Sequence, residues 1–280
     1  MFIPEVRAHF LPHPALARCL RFAILAAMDD MRQYLDAAVS VAQKAGRNLA
    51  KAGAAMRGVR SAEGRDVKLQ ADVDSENLIR AELAAATGLA VIGEELGGDA
   101  ALLSRCEPFW VVDPLDGTYN FLRGVPVCCV SIALMRGSEF LLGVIHDFNR
   151  GETFSGGAGL GMFVNGVKIV PAWERERSKA TLQTGLTTAQ VYSEETIRDF
   201  ILTATSFKKT RAIGSAATAL AWVAAGRCDV YHENSIRLWD VAAGVAMIQA
   251  GGGSARIVEM PEKPFMYDVW AGAPELFPKG

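Results

Sequence analysis

Phe109-Trp110-Val111-Val112-Asp113-Pro114-Leu115-Asp116-Gly117-Thr118-Tyr119-Asn120-Phe121 is the stretch whose reading decides the fold. The apolar run 109–112 reads as a buried strand. Pro114 has a fixed φ and no N–H for a ladder, so strand pairing is expected to stop there and the backbone to turn. Two carboxylates, Asp113 and Asp116, stand at the strand end, followed by a glycine that lets the chain pass close to a ligand. Thr118-Tyr119-Asn120 then opens a short helix whose first N–H groups lack intrahelical partners. Carboxylates beside free amides suit a divalent cation that itself holds a phosphate. A surface turn with solvated acids has the same local sequence, so the context must separate the two.

Upstream, residues 90–92 form a second apolar strand that runs into Gly93-Glu94-Glu95. Two strands that both end in acids, joined by a connection, bring those ends together. Before them come a short strand at 67–72 and a helix at 74–86, with Asp72 at the handover, where capping the helix is its simplest role. Residues 56–66 read as a loop. Leu35, Ala38, Val39, Ala42, Ala45 and Leu49 recur at helical spacing and predict a long amphipathic helix over 30–55. Residues 1–27 carry Arg7, Arg18 and Arg21 among apolar residues and lack the long apolar core of a signal peptide. They are read as an N-terminal arm, either disordered or a mis-assigned start, because Met28 directly precedes Asp29-Asp30.

Downstream, strands at 125–135 and 140–147 flank a turn at Arg136-Gly137-Ser138. Further antiparallel segments follow at 153–155 and 162–170, with a glycine-rich bend between them. That bend lacks a strand-then-helix setting and is no nucleotide fingerprint. His146 reads as a structural hydrogen-bonding residue. The charged stretch 171–180 is the expected boundary between an N-terminal α+β lobe (28–175), holding most of the acids, and a C-terminal α/β lobe (176–280). In the second lobe, strands at 180–185, 208–213 and 229–232 alternate with helices at 193–205 and 215–225. Gly214-Ser215 opens the latter helix as an anion cradle or a plain cap, Glu233 follows a strand, and Asp240 heads an Ala-rich helix to residue 250. Strands at 254–258 and 269–271 complete the chain.

The 280 residues are half hydrophobic with a net charge of −2, enough for a large core. There is no basic excess to attract nucleic acid or a membrane surface, and no apolar run of transmembrane length. The five cysteines, Cys19, Cys106, Cys128, Cys129 and Cys228, show no C-x-x-C spacing. They read as small core residues in a reducing cytoplasm, with Cys128 and Cys129 on opposite faces of a strand.

Asp72, Glu94, Asp113, Asp116 and Asp240 each sit at the edge of a regular element. If they converge, so many like charges require cations, and an all-oxygen donor set favours Mg²⁺, with Mn²⁺ as the alternative.

Gly93-Glu94-Glu95, then Asp113-Pro114-Leu115-Asp116-Gly117-Thr118, then Trp239-Asp240-Val241-Ala242-Ala243-Gly244, in this order, resemble the inositol monophosphatase family. Its members are lithium-sensitive, magnesium-dependent phosphatases related to fructose-1,6-bisphosphatase. The resemblance runs from about residue 30 to the C-terminus. It implies a layered αβαβα sandwich and a cytoplasmic homodimer. It also implies a phosphomonoesterase using two or three Mg²⁺ per site on myo-inositol monophosphate or a similar small polyol or sugar phosphate. Glu94, Asp113 and the Leu115 carbonyl match ligands of a first metal; Asp113, Asp116 and Asp240 match ligands of a second. Thr118 and Asp72 match the pair that orients and deprotonates the attacking water, and Glu94 belongs with them in the catalytic set. Asp116 and the Gly117 and Thr118 amides would face the phosphate, while Gly214, Ser215, Ala216 and Glu233 would face the alcohol part. Asn120-Phe121 resembles the inositol phosphatase branch.

Three departures accompany the resemblance: Lys68-Leu69 where the family has Val-Thr, Leu96 where a serine is common, and Leu122-Arg123-Gly124-Val125-Pro126 after the central motif. Rival readings within the superfamily are a fructose-1,6-bisphosphatase, a histidinol-phosphate phosphatase and a 3′(2′),5′-bisphosphate nucleotidase. A non-catalytic regulatory protein that keeps the fold is the rival from another class.

Overall fold

The computed structural model describes residues 14–52, 59–63, 66–187, 189–260 and 262–278, with the side chains of 14–29 and 52–68 left aside. The reading of residues 1–13 as part of an arm, and the side chain of Lys68, lie outside the described residues. Among the described residues no helix is long and apolar enough to cross a membrane.

Helix α1 (Pro14–Ala52) starts before the position the periodicity indicates and buries Leu35, Ala38, Val41, Ala42, Ala45 and Leu49 along one face. Strands β1 (Val59–Glu63) and β2 (Asp66–Leu69) form a hairpin where the sequence suggested mostly loop. Helix α2 (Gln70–Thr87) begins four residues earlier than the expected residue 74, directly at the end of β2. Both long helices cover one face of a seven-stranded sheet. In spatial order its strands are β3 (Val91–Gly93), β4 (Pro108–Asp116), β5 (Cys129–Arg136), β6 (Glu139–Asp147), β7 (Glu152–Gly157), β8 (Gly161–Val164) and β9 (Val167–Ile169). Only β3 and β4 run parallel in this sheet; the other neighbours are antiparallel.

Strand alternation places the two faces of β4 in different cores. Trp110 and Val112 pack with α1 and α2, while Phe109 and Val111 point to the opposite layer. Cys128 and Cys129 divide in the same way, Cys128 joining the first core and Cys129 the second. Each fully buried aromatic or aliphatic side chain of this kind is worth about 1.5–3 kcal/mol relative to exposure.

The opposite layer consists of α5 (Ala216–Ala224) and α6 (Leu238–Ala250), held between the seven-stranded sheet and a five-stranded one. The second sheet contains β10 (Thr181–Thr184), β11 (Lys209–Ala212), β12 (Val230–Arg237), β13 (Ser254–Glu259) and β14 (Met266–Gly272), in the order β11-β10-β12-β14-β13. Beyond its first turn, residues 241–248 of α6 are apolar on every face because they are enclosed on every face. Its small residues permit close approach: a side chain at Gly143 on β6 would collide with the Ala243 backbone, and one at Gly244 with Leu220 of α5. Helix α4 (Glu194–Thr205), none of whose residues is buried, lies against the edge strand β11 and supplies the fifth layer in the order helix, sheet, helices, sheet and helix.

Candidate active site

The parallel β3/β4 pair sends two C-terminal strand ends to one edge, with Gly93 opposite Val112. The Glu94 amide donates to the Val112 carbonyl at 3.2 Å, which sets Glu94 beside Asp113. Strand β4 does not end at Pro114. The ladder is irregular between Asp113 and Asp116 and resumes with Asp116 opposite Cys129, so the proline occupies a bulge. Ser75 of α2 donates to the Pro114 carbonyl at 3.1 Å, and Asp113 accepts the Leu115 amide at 2.9 Å. Gly117 then takes φ +84°, a left-handed conformation that favours glycine, and caps a short helix α3 (Thr118–Arg123).

Carboxylate oxygens of Glu94, Asp113 and Asp240 lie within 4.8 Å of one another. Asp240 arrives from the first turn of α6. It occupies the third helical position, with Arg237 at the cap, so it is not the N-cap residue itself but caps the helix from within, its carboxylate accepting the Arg237 amide. Asp72 is likewise the third residue of α2, where its carboxylate reaches back to the Leu69 amide at 2.6 Å. Two like charges about 4 Å apart repel by roughly 4 kcal/mol at an effective dielectric constant near 20. Burial first, then the charges of Glu94, Asp116 and Asp240, hold the Asp113 carboxyl well above the usual range. Asp240 is raised by burial and then by Glu94, Asp116 and Glu233. A cluster of this composition fits a hard divalent cation, whose charge removes that repulsion.

Asp116 lies outside this tight trio but lines the same hollow of about 320 Å³ with Glu94, Gly117, Thr118, Gly214, Ser215, Ala216, Glu233 and Asp240. Its carboxylate receives the Ser215 hydroxyl, the Ala217 amide at 2.9 Å and the Ala216 amide at 3.3 Å. Burial raises its pKa, while the Ser215 hydroxyl and the Ala217 and Thr218 amides oppose the rise. The Cys129 thiol also donates to it at 3.7 Å. Ser215 is the cap of α5, as one of the two sequence readings had it.

Thr118 donates its hydroxyl to the Leu115 carbonyl at 3.0 Å. Asp72, Asp113 and Leu115 are not in the wall of the hollow. Glu233 lies within β12 rather than after it, at an irregularity that runs to Ile236, and Ser235 there has φ +55°. Burial pushes the Glu233 carboxyl up to about 8, with the Tyr231 hydroxyl acting in the other direction. A side chain at Gly185 would overlap the Glu233 carboxylate.

Several residues at the hollow escaped the sequence reading. Leu186, Thr187 and Ala189 line it where Thr187 donates to the Asn234 carbonyl of β12 at 3.1 Å, and Arg237 lines it from the end of β12. No sequence pattern announces that contact. Asn120 donates to the carbonyls of Val127 at 2.8 Å and Ile213 at 2.9 Å, which staples α3 to the approach of α5. His146 is structural, its Nδ1 lying 3.0 Å from the Thr153 hydroxyl. Of the departures, Leu96 and Arg123 are exposed, and Leu69 is buried.

Comparison with known proteins follows the same lines. The family model for the inositol monophosphatase family matches residues 30–273. An inositol-1-monophosphatase of Mesorhizobium japonicum is 34% identical over 223 residues, 78% of this chain and 83% of that protein. The Nus factor SuhB of Xylella fastidiosa is 38% identical over 176 residues, 62% of this chain, and the match spans 63% of that protein. The extragenic suppressor protein suhB of Bartonella henselae superposes with a TM-score of 0.76 at 30% identity, covering 86% of this chain and 94% of that one. An inositol monophosphatase from Anabaena (Nostoc) sp. PCC 7120 gives 0.74 at 30% identity, covering 88% and 93%. The layered αβαβα arrangement is shared with these structures. The chain belongs to the inositol monophosphatase family.

Proposed function

We propose that this protein is a Mg²⁺-dependent phosphomonoesterase acting on myo-inositol monophosphate or a similar small polyol or sugar phosphate. The observation that carries this reading is the convergence of Glu94, Asp113 and Asp240 at the edge of a hollow floored by Gly117 and Thr118. Family membership and the 34% likeness to an inositol-1-monophosphatase support it.

Glu94, Asp113 and the Leu115 carbonyl would hold a first cation, and Asp113, Asp116 and Asp240 a second; Mn²⁺ would fit the same oxygen donors. When bound, such cations lower the pKa of a coordinated water and neutralise charge on a phosphoryl group. The protein's own groups supply the rest. The backbone amides of Gly117 and Thr118 bind phosphate oxygens where the chain leaves β4. Thr118 and Asp72 orient the attacking water, and the Thr118 hydroxyl is already placed by its bond to Leu115. Glu233 accepts hydroxyls of the alcohol part, and Gly214, Ser215 and Ala216 form the wall behind it. The absence of a conventional nucleophile is no obstacle, because in-line attack by water needs no covalent intermediate. A homodimer in the cytoplasm, sensitive to Li⁺, completes the proposal.

The test is phosphate release from a panel of esters with Mg²⁺, with and without Li⁺. The panel contains myo-inositol 1-phosphate, fructose 1,6-bisphosphate, histidinol phosphate and 3′-phosphoadenosine 5′-phosphate. Preference for the inositol ester supports the proposal, and preference for another ester moves the assignment within the superfamily. No hydrolysis of any ester would favour the non-catalytic reading, for which the likeness to a protein named as a Nus factor is the one supporting observation.

A further inference from the structure

The turn that carries Glu94 is built over a carboxylate with no part in the chemistry above. Glu76, on α2, is completely buried. One of its oxygens accepts the Glu95 amide at 2.7 Å. The other accepts the Leu96 amide at 3.2 Å and the Arg80 Nε at 2.7 Å. The Arg80 guanidinium continues to the Val91 carbonyl at 3.0 Å and to the Gly97 carbonyl. These two side chains, four residues apart on one helix face, therefore bind residues 91, 95, 96 and 97, on both sides of Glu94. Gly93 is the opening that allows this, since any Cβ there would overlap the Glu76 carboxylate. The Gly93 amide donates to the Gly97 carbonyl at 3.0 Å and closes the turn.

With Glu76 buried and Arg80 half-buried, this ion pair is a poor source of stability, because the desolvation of the buried carboxylate offsets the attraction. Its fixed geometry is more useful where a backbone must hold against a force. Here the force is identifiable: without a cation, Glu94 is repelled by Asp113 and Asp240. We propose that Glu76 and Arg80 are positioning residues for divalent-cation binding. They clamp the 93–97 turn so that the Glu94 carboxylate stands with Asp113 and Asp240 before the cation arrives. This inference rests on the reading of those three acids as cation ligands. It adds a source of affinity located on α2, outside the ligand set.

The experiment is isothermal titration calorimetry of Mn²⁺ and Mg²⁺ into the full-length protein without substrate, for wild type, Glu76→Gln, Gly93→Ala and Arg80→Lys. Asp229→Asn is the control. Asp229 also uses its carboxylate to accept two backbone amides, from Thr181 at 2.7 Å and Glu174 at 2.8 Å, but at the far end of β12. Thermal melting and circular dichroism establish that each variant is folded. Loss of an outer partner of this kind weakens metal binding by about 10–100-fold. That rise in Kd is expected for Glu76→Gln and Gly93→Ala, and a smaller one for Arg80→Lys, which keeps the charge beside Glu76. Asp229→Asn is expected to lower the melting temperature and leave Kd unchanged. At saturating Mg²⁺ the plateau rate of phosphate release should be largely retained in the clamp variants. Wild-type Kd in folded Glu76→Gln and Gly93→Ala, or an equal rise in Asp229→Asn, would overturn the inference. Wild-type protein that takes up no divalent cation would remove the reading of the three acids as ligands, and this inference with it. If Glu76→Gln does not fold, Gly93→Ala and Arg80→Lys carry the same comparison.

Discussion

Asp116 accepts the backbone amide of Ala217 at 2.9 Å, across 101 residues of sequence. The end of β4 is thereby fastened to the first turn of α5, with the Ser215 hydroxyl as a further donor to the same carboxylate. Ser215→Ala removes both that charge-assisted bond and the α5 cap, since Ser215 also accepts the Thr218 amide at 3.3 Å. A hydrogen bond to a charged group contributes about 1.5–3 kcal/mol, so a loss of about 2 kcal/mol is expected in urea unfolding of the metal-free protein. A shift below about 0.5 kcal/mol, the range of an ordinary surface substitution, would show that the contact does not fasten the two elements.

Above about pH 6.5 the pH dependence of metal-free stability has a definite sign; below it the depressed pKa values of buried His146 and half-buried His232, the latter at about 4, act in the opposite direction. Asp113, Asp116, Asp240 and Glu233 all have folded pKa values above their ordinary ones, with Glu233 at about 8 against 4.5. Between those two values the native state retains a proton on Glu233 that the unfolded state has lost, so its stabilising contribution fades as pH rises toward 8. Chemical denaturation of the metal-free protein from about pH 6.5 upward should show declining stability, and Glu233→Gln should flatten the upper part of that decline. Saturating Mg²⁺ should lift stability most at the alkaline end, where the acids are ionised and ready to bind it. A stability that increases from about pH 6.5 to 8 without metal would contradict the burial of these carboxyls.

Glu233 also separates binding from chemistry. On the proposed reading of Glu233 as an acceptor for the alcohol hydroxyls, its replacement by Gln should raise KM for a polyol phosphate by about tenfold and leave kcat within a small factor. Steady-state kinetics on an inositol ester and on a simple alkyl phosphate make the comparison. An equal loss on both esters would place Glu233 in the reaction rather than in recognition.

Gly143→Ala probes the middle layer. Its new methyl group would meet the Ala243 backbone of α6, and overpacking of this kind costs about 1–3 kcal/mol. Because α6 carries Asp240, the variant should lose cation affinity along with stability. Denaturant midpoints and calorimetric Kd check both, and unchanged midpoints would mean that the two layers can separate without cost.

Much of this architecture could be read from periodicity. The apolar run 109–112 and the helical spacing of Leu35, Ala38, Ala42, Ala45 and Leu49 correspond to positions that are buried in the folded chain. What periodicity did not carry was the exact relation of acids to helix ends. Asp72 and Asp240 look like N-caps in sequence and do cap their helices, but from the third helical position, reaching back to the Leu69 and Arg237 amides, because hydrophobic patterns locate a helix end only to within a residue or two. Strand β4 passes Pro114 because a bulge tolerates the missing N–H, and a bulge depends on the partner strand. The Asn120 staple, the 185–189 wall and the Glu76–Arg80 clamp arise from tertiary contacts. Of these, only the clamp left a trace in sequence, an acid and a base four residues apart on a helix.

Anomalous diffraction from crystals soaked in Mn²⁺ and inorganic phosphate tests the central claim most directly. The account predicts strong peaks within coordination distance of Glu94, Asp113 and Asp240, with Asp113 shared, and phosphate density against Gly117 and Thr118. Mn²⁺ found only at other surface carboxylates, with the three acids turned apart and solvated, would contradict it.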